Sequence, residues 1–80
     1  EFKSALMISC LNRVGMLADI SGQLASMHVM IHDINTRHFK DGRSSFSMTI
    51  TVNGVEHLKS VITKIEKING VLNVERAGAT

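Results

Sequence analysis

Residues 44–52 alternate between hydroxyl and apolar side chains from Ser45 onward, and this alternation constrains the fold more than any other feature of the chain. Because successive side chains of a strand point to opposite faces, a period of two predicts a strand with one buried face and one face of hydroxyls. A sheet of this kind needs a covering layer on one side only. The buried set is Phe46, Met48, Ile50 and Val52, and the other set is Ser45, Ser47, Thr49 and Thr51.

Residues 4–11 are apolar-rich on both faces of a strand pattern, which predicts a central position in the sheet. Leu6, Ile8 and Cys10 fall on one of these faces. Cys10 is the only cysteine of the chain and therefore forms no internal disulfide. We expect it to be a small buried apolar residue rather than a nucleophile.

Two further strands are predicted. Residues 30–39 mix β-branched and polar side chains, and the turn at 40–43 follows them with Asp41-Gly42, a strong hairpin signal. Residues 71–77 form a short last strand. The hairpin signal joins residues 30–39 directly to the alternating strand.

Two apolar stripes at helical spacing separate these strands. Residues 16–27 place Leu17, Ile20, Leu24 and Met27 at steps of three, four and three. Gly22 interrupts this helix, and it either lowers helix stability or allows a close approach to the sheet. The second stripe consists of Val55, Leu58, Val61, Ile62, Ile65 and Ile68. Asn69-Gly70 would cap its C-terminus.

The order βαββαβ predicts an α+β, ferredoxin-like fold, with a four-stranded antiparallel sheet and two helices on one face. Right-handed crossovers place the first and third strands at the centre. We expect residues 1–80 to form one domain, and the absence of an initial Met suggests a fragment of a larger protein.

The segment Asn12-Arg13-Val14-Gly15 joins the first strand to the first helix. Amide groups without partners collect at a helix N-terminus and can hold an anion or a carboxylate. The Asn12 side chain could accept hydrogen bonds from those amides, and Gly15 could supply a positive φ or allow a close approach. These residues fit either a pocket or a simple tight turn.

The segment from Asn12 to Ile20 resembles the D/N-R-x-G-x-L-x-D-I signature of ACT domains, small regulatory modules that commonly sense amino acids. The resemblance covers nearly the whole chain. Asn35-Thr36-Arg37, His57-Leu58 and the closing 70–76 segment resemble the C-terminal ACT domain of stringent-response GTP pyrophosphokinases, which make and hydrolyse guanosine tetra- and pentaphosphate.

The resemblance implies a ligand site and several partners. Asn12, Arg13, Val14, Gly15, Met16 and Leu17 would line a site for a free amino acid, and Ile31 and Asn35 of a partner subunit would close it. Val14 stands where many family members have proline. The implied partners are a second copy of the chain, the catalytic domains of the parent protein and the ribosome, in the cytoplasm. The alternative is a structural dimerisation or RNA-contact module without a small ligand.

Other functional classes are poorly supported by the residues. Three Phe and no Trp or Tyr cannot supply the base-stacking face of an RNA-recognition module, and a net charge of +2 is small. The loop lacks the C-x-x-C motif of copper chaperones, and the wider acylphosphatase motif is absent. Carboxylates show no catalytic pairing, so we expect no catalytic residue, metal or cofactor. Histidines are expected at surfaces and edges, with His57 solvated. No apolar run is long enough to span a membrane.

Overall fold

The computed structural model describes residues 2–77, and its element order confirms the predicted βαββαβ arrangement. The sheet is antiparallel throughout, in the order β2-β3-β1-β4, so the two strands predicted to be central are central. The elements are β1 (Phe2–Leu11), α1 (Met16–Ser26), β2 (Met30–His38), β3 (Arg43–Val52), α2 (Val55–Glu66) and β4 (Val71–Ala77).

The alternation of β3 is reproduced as alternating burial. Its four predicted apolar positions are at most 5% exposed, and the intervening Ser and Thr residues are half-buried on the opposite face. Leu6, Ile8 and Cys10 of β1 are fully buried on the same side. One apolar face therefore carries the whole core, and both helices pack against it.

The buried stripe of α1 contains Ile20 and Leu24 as predicted, but it begins at Met16 rather than at Leu17. Met16, Ile20 and Leu24 are buried at steps of four, whereas Leu17 is 41% exposed. Residues three and four apart share a helix face, so Met16 and Leu17 both satisfied the spacing to Ile20. In α2, Leu58, Val61 and Ile65 are buried as predicted.

Two expectations for the second helix and its end were wrong. Val55, predicted to belong to the apolar stripe, is the first residue of α2 and remains 57% exposed. The C-cap of α2 is Lys67 rather than the Asn69-Gly70 pair. The chain needs three further residues to turn into β4, and Gly70 serves that turn with φ of 98°.

Gly22 does not bring α1 close to the sheet. The residue is exposed, and an added Cβ would meet no atom within 4 Å. Its effect is therefore confined to the low helix propensity of glycine.

The C-terminus of α1 ends in a Schellman motif with His28 in the left-handed region, at φ of 59°. His28 N–H donates to the Ala25 carbonyl at 3.1 Å, and Val29 N–H donates to the Leu24 carbonyl at 3.0 Å. Val29 and Leu24 are both buried, which supplies the apolar contact that usually accompanies this motif.

The expectation that His57 is solvated was wrong, because its ring connects two segments. Its Nδ1 accepts from Asn53 N–H at 2.9 Å, and its Nε2 donates to the Met27 carbonyl at 3.2 Å. The two contacts together require the neutral tautomer with a proton on Nε2. His57 thus fastens the start of α2 to the end of α1.

We expect Gly22→Ala to raise the free energy of unfolding by about 1 kcal/mol, because it removes a glycine penalty from an open helix position. Gly70→Ala is the matched control, since it adds the same methyl group at positive φ, 2.8 Å from the Met16 Cε atom. It should lower the free energy by about 1 to 3 kcal/mol. Urea denaturation measures both, and a loss of stability in Gly22→Ala would contradict the helix placement.

The Cys10 thiol should be almost unreactive in the folded protein. The residue is fully buried, and its Sγ donates to the Ser44 carbonyl oxygen at 3.6 Å. Burial raises the pKa of the Cys10 thiol, and the Arg13 charge offsets this only in part, so the reactive thiolate is scarce. Reaction with an aromatic disulfide reagent should be slower by roughly a thousandfold than in denaturant, because labelling requires unfolding. Rapid labelling under native conditions would contradict this placement.

Candidate functional site

The loop between β1 and α1 turns at Gly15, which adopts φ of 84° at the N-cap of α1. The expected positive φ is confirmed. An L side chain is disfavoured in this region, so glycine here permits the strand to pass into the helix within four residues.

Asn12 does not cap α1 as the sequence suggested. The helix has no side-chain cap, and Asn12 is exposed. Its backbone N–H instead donates to the Gly42 carbonyl at 2.8 Å. This bond ties the loop to the β2–β3 hairpin and leaves the Asn12 side chain three residues before the N-cap.

Arg13 braces the loop with all three of its guanidinium nitrogens. Nε donates to the Asn69 carbonyl at 2.9 Å, and Nη1 donates to the Val14 carbonyl at 3.1 Å. Nη2 donates to Asp19 Oδ2 at 2.7 Å, in the first turn of α1. The side chain therefore joins the loop to α1 and to the turn before β4.

Gly70 provides the space that this brace occupies. A Cβ at residue 70 would lie 3.2 Å from Arg13 Nε, in addition to its clash with Met16. The Gly70 carbonyl also accepts from Leu11 N–H at 2.8 Å. The backbone of Gly70 thus contacts the end of β1, and the missing side chain of this residue leaves room for the brace.

A cavity of about 520 Å³ lies beside the braced loop. This volume is within the usual range for small-molecule sites. Its wall is formed by the loop and the start of α1, together with residues from β2 and β3. The lining residues are Leu11, Asn12, Arg13, Gly15, Met16, Leu17, Ala18, Thr36, His38, Ser44 and Phe46.

The predicted ligand residues are only partly gathered at this cavity. Five of the six loop and helix residues line it, whereas Val14 is 99% exposed and does not. Ile31 and Asn35 of this chain lie on β2 outside the lining, and their predicted contribution from a second subunit stays a prediction.

Sequence reasoning missed the wall that the chain's own β2 and β3 supply. In the hairpin register Thr36 lies opposite Phe46, and His38 lies opposite Ser44. The signal was available, because the Asp41-Gly42 turn and the alternation of β3 together place Thr36 and His38 on the core face. The family resemblance implied instead that the second strand of a partner subunit closes the site.

His38 is held in place by a buried hydroxyl group. Its Nδ1 lies 2.8 Å from Ser44 Oγ, and Ser44 is 2% exposed. Within the described part of the chain, Nε2 of the same ring has no hydrogen-bond partner, and no third group orients the pair. The arrangement positions an imidazole at the cavity wall, and the buried hydroxyl is poorly placed to act as a nucleophile.

The first turn of α1 offers backbone donors to the same cavity. Met16 N–H donates to the Arg13 carbonyl at 3.3 Å, and Asp19 N–H donates to the Gly15 carbonyl at 2.9 Å. For the amides of Leu17 and Ala18, residues 2–77 provide no backbone acceptor. Such amides and the helix dipole favour a negative group.

Neither a metal centre nor a membrane span is found in the part of the chain that the structure describes. No three His, Cys, Asp or Glu residues there are grouped so that they could hold an ion. Neither described helix is long and apolar enough to cross a bilayer.

Arg13→Ala should lower the free energy of unfolding by about 1 to 2 kcal/mol, because it leaves three acceptors without their charged donor. Arg43→Ala is the control, since Arg43 also pairs with an aspartate at 2.8 Å, but in the exposed hairpin. Its loss should cost less than about 1 kcal/mol. Chemical denaturation of both variants tests the brace, and equal losses would contradict it.

The family comparison identifies a match over nearly the entire sequence. The model of the ACT domain matches residues 1–76. A comparison with curated proteins found no match.

Solved structures of ACT domains also resemble this chain in their three-dimensional fold. The crystal structure of the ACT domain from GTP pyrophosphokinase of Chlorobium tepidum is 28% identical, with a TM-score of 0.83 over 95% of this chain and 97% of that one. The solution structure of the same domain is 26% identical, with a TM-score of 0.81 over 99% and 89%.

A more distant neighbour shares the fold alone. The small subunit of acetolactate synthase from Thermotoga maritima is 13% identical, with a TM-score of 0.84 over 95% of this chain and 47% of that one. The family match, the element order and the loop signature agree, and the chain belongs to the ACT domain family.

Proposed function

We propose that this ACT domain is a ligand-sensing, dimerising regulatory domain of a cytoplasmic GTP pyrophosphokinase that also hydrolyses guanosine tetra- and pentaphosphate in the stringent response. The likeness to the Chlorobium tepidum domain supports the choice of parent enzyme. Catalysis would belong to other domains of the parent chain, and the ribosome is a candidate partner.

The observation that carries the sensing role is the cavity beside the braced loop. It combines a ligand-sized volume with an apolar wall and with the free amides of Leu17 and Ala18. A free amino acid would direct its carboxylate to these amides and its side chain to the wall. Because Arg13 holds the loop in place, little conformational entropy would be lost on binding.

The proposed dimer uses the exposed edge of the sheet. β2 is an edge strand, and its first residue, Met30, is 64% exposed. A second copy could pair with this edge, because an unpaired strand offers a row of hydrogen-bonding groups. Ile31 and Asn35 of that copy would then lie on the seam.

Regulation would follow from different affinities of the ligand for two arrangements of the subunits. A ligand shifts such an equilibrium only to the extent that it binds one arrangement more tightly. A tenfold difference in affinity corresponds to about 1.4 kcal/mol of coupling to the catalytic domains.

The second candidate is a structural dimerisation or ribosome-contact module with no small ligand. Its support is the Arg13 brace, because each guanidinium nitrogen of this cavity-lining arginine already donates to a group of the chain itself. On this alternative the loop signature preserves a turn, and the cavity has no occupant.

An amide chemical-shift titration with pools of free amino acids should give saturable shifts at residues 12–18, with a dimer detected by light scattering. Gly15→Asp should abolish these shifts, because it adds a negative charge beside the free amides. Gly42→Asp is the matched control, since Gly42 has φ of 88° and open space for a Cβ. It imposes similar strain outside the lining and should retain binding.

Two results would contradict the sensing role. A well-folded dimer that shows no shifts with any pool would favour the structural alternative. Unchanged binding in Gly15→Asp would move the ligand site away from this loop.

A further inference from the structure

The ionisable side chains that line the cavity are both basic. Among the described residues they are Arg13 from the loop and His38 from β2. The remaining polar lining consists of one amide side chain and two hydroxyl groups, on Asn12, Thr36 and Ser44. The cavity is therefore better suited to an anionic group than to an ammonium group.

Of the two basic residues, Arg13 is already engaged. Its guanidinium donates to two carbonyl groups and to Asp19, whose charge it balances. The two N–H groups that remain, one on each Nη atom, belong to a guanidinium that is already held by these three contacts. His38 is thus the basic side chain of the cavity that has no carboxylate partner among the described residues.

The ring of His38 is fixed on one side and free on the other. Nδ1 contacts Ser44 Oγ at 2.8 Å, and the buried position of Ser44 leaves this hydroxyl little room to move. A hydroxyl can donate or accept, so the contact persists whether the ring is neutral or charged. In the charged ring, Nε2 carries a proton that it can donate to a ligand. In the neutral ring, Nε2 carries this proton when Ser44 donates to Nδ1.

The other histidines with ring contacts lack this combination. His57 uses both of its ring nitrogens within the protein. His32 contacts Thr51 Oγ1 and does not line the cavity. A free ring nitrogen at the cavity wall therefore distinguishes His38 from these two.

The rest of the wall is apolar and includes Leu11, Met16, Leu17 and Phe46. We propose that the cavity selects a small apolar carboxylate that needs no ammonium group. His38 determines this specificity by donating a hydrogen bond from Nε2 to the carboxylate. This inference rests on the proposed sensing function and narrows its ligand class. An apolar amino acid would bind through its carboxylate and side chain, and its deaminated analogue would bind as well.

Three probes of similar size distinguish the contribution of the carboxylate to binding from that of the ammonium group. Leucine carries both charged groups, 4-methylpentanoate keeps only the carboxylate, and leucinamide keeps only the ammonium. Titration of the 80-residue chain, followed by amide shifts, should give dissociation constants for leucine and 4-methylpentanoate within about threefold of each other. Leucinamide should bind at least about tenfold more weakly, the loss expected for a charge-assisted hydrogen bond.

His38→Gln should weaken 4-methylpentanoate about tenfold, because a neutral amide replaces the imidazole donor. His32→Gln is the control, since it removes a histidine of the same strand outside the lining, and it should leave binding unchanged. His38→Phe serves as a second variant, and an unchanged amide spectrum elsewhere establishes that each variant is folded.

The outcomes separate this inference from the sensing role itself. If leucine binds and 4-methylpentanoate does not, or if only polar amino acids bind from the pools, the inference is overturned and the sensor stands. Equal binding of 4-methylpentanoate to His38→Gln and the unmodified chain would overturn the role of His38. If neither the probes nor the pools bind, the proposed function fails together with the inference.

Discussion

The antiparallel pairing of β1 with β3 is the interaction on which the rest of the structure depends. All ten residues of β1 pair in one uninterrupted register with β3. A slip of one residue would transfer every apolar side chain to the opposite face. This register therefore places Leu6 and Ile8 beside the apolar positions of β3, creates one face for both helices, and brings the β2–β3 turn next to Asn12.

The candidate site lies where three connections meet at one end of this sheet. Each connection contains a glycine at positive φ, at residues 15, 42 and 70. The Gly70 carbonyl accepts from Leu11 N–H at the end of β1, and the Gly42 carbonyl accepts from Asn12 N–H just after it. Arg13 adds a contact from the loop to the Asn69 carbonyl. The loop is therefore shaped by backbone contacts from both neighbouring turns, and the cavity beside it is a property of the whole sheet end.

Elements defined by local signals could be predicted from the sequence. The alternation of β3, the Asp41-Gly42 turn and the bounds of β4 are confirmed, because each depends on neighbouring residues. Spacing alone does not fix the phase of a helix, and the buried stripe of α1 begins at Met16 rather than Leu17, since both residues lie at helical spacing from Ile20.

Long-range contacts of partly buried polar side chains could not be predicted. Arg13 contacts Asn69, which is 56 residues away in the sequence, and His57 contacts Met27, which is 30 residues away. No spacing rule encodes these partners, because they arise only when the helices are laid side by side. The β2 wall of the cavity was predictable in principle from the hairpin register, and it was missed because the family resemblance implied closure by a partner subunit.

The two long-range contacts have a mechanical consequence for the helical layer. Arg13 connects the start of α1 to the turn after α2, and His57 connects the start of α2 to the residue after α1. The two helices are thus connected to each other at both ends. A displacement at one end of α1 would be transmitted about 16 Å along the helix axis and would reach α2 through either the Arg13 or the His57 contact. The two helices would therefore move over the sheet as one rigid unit.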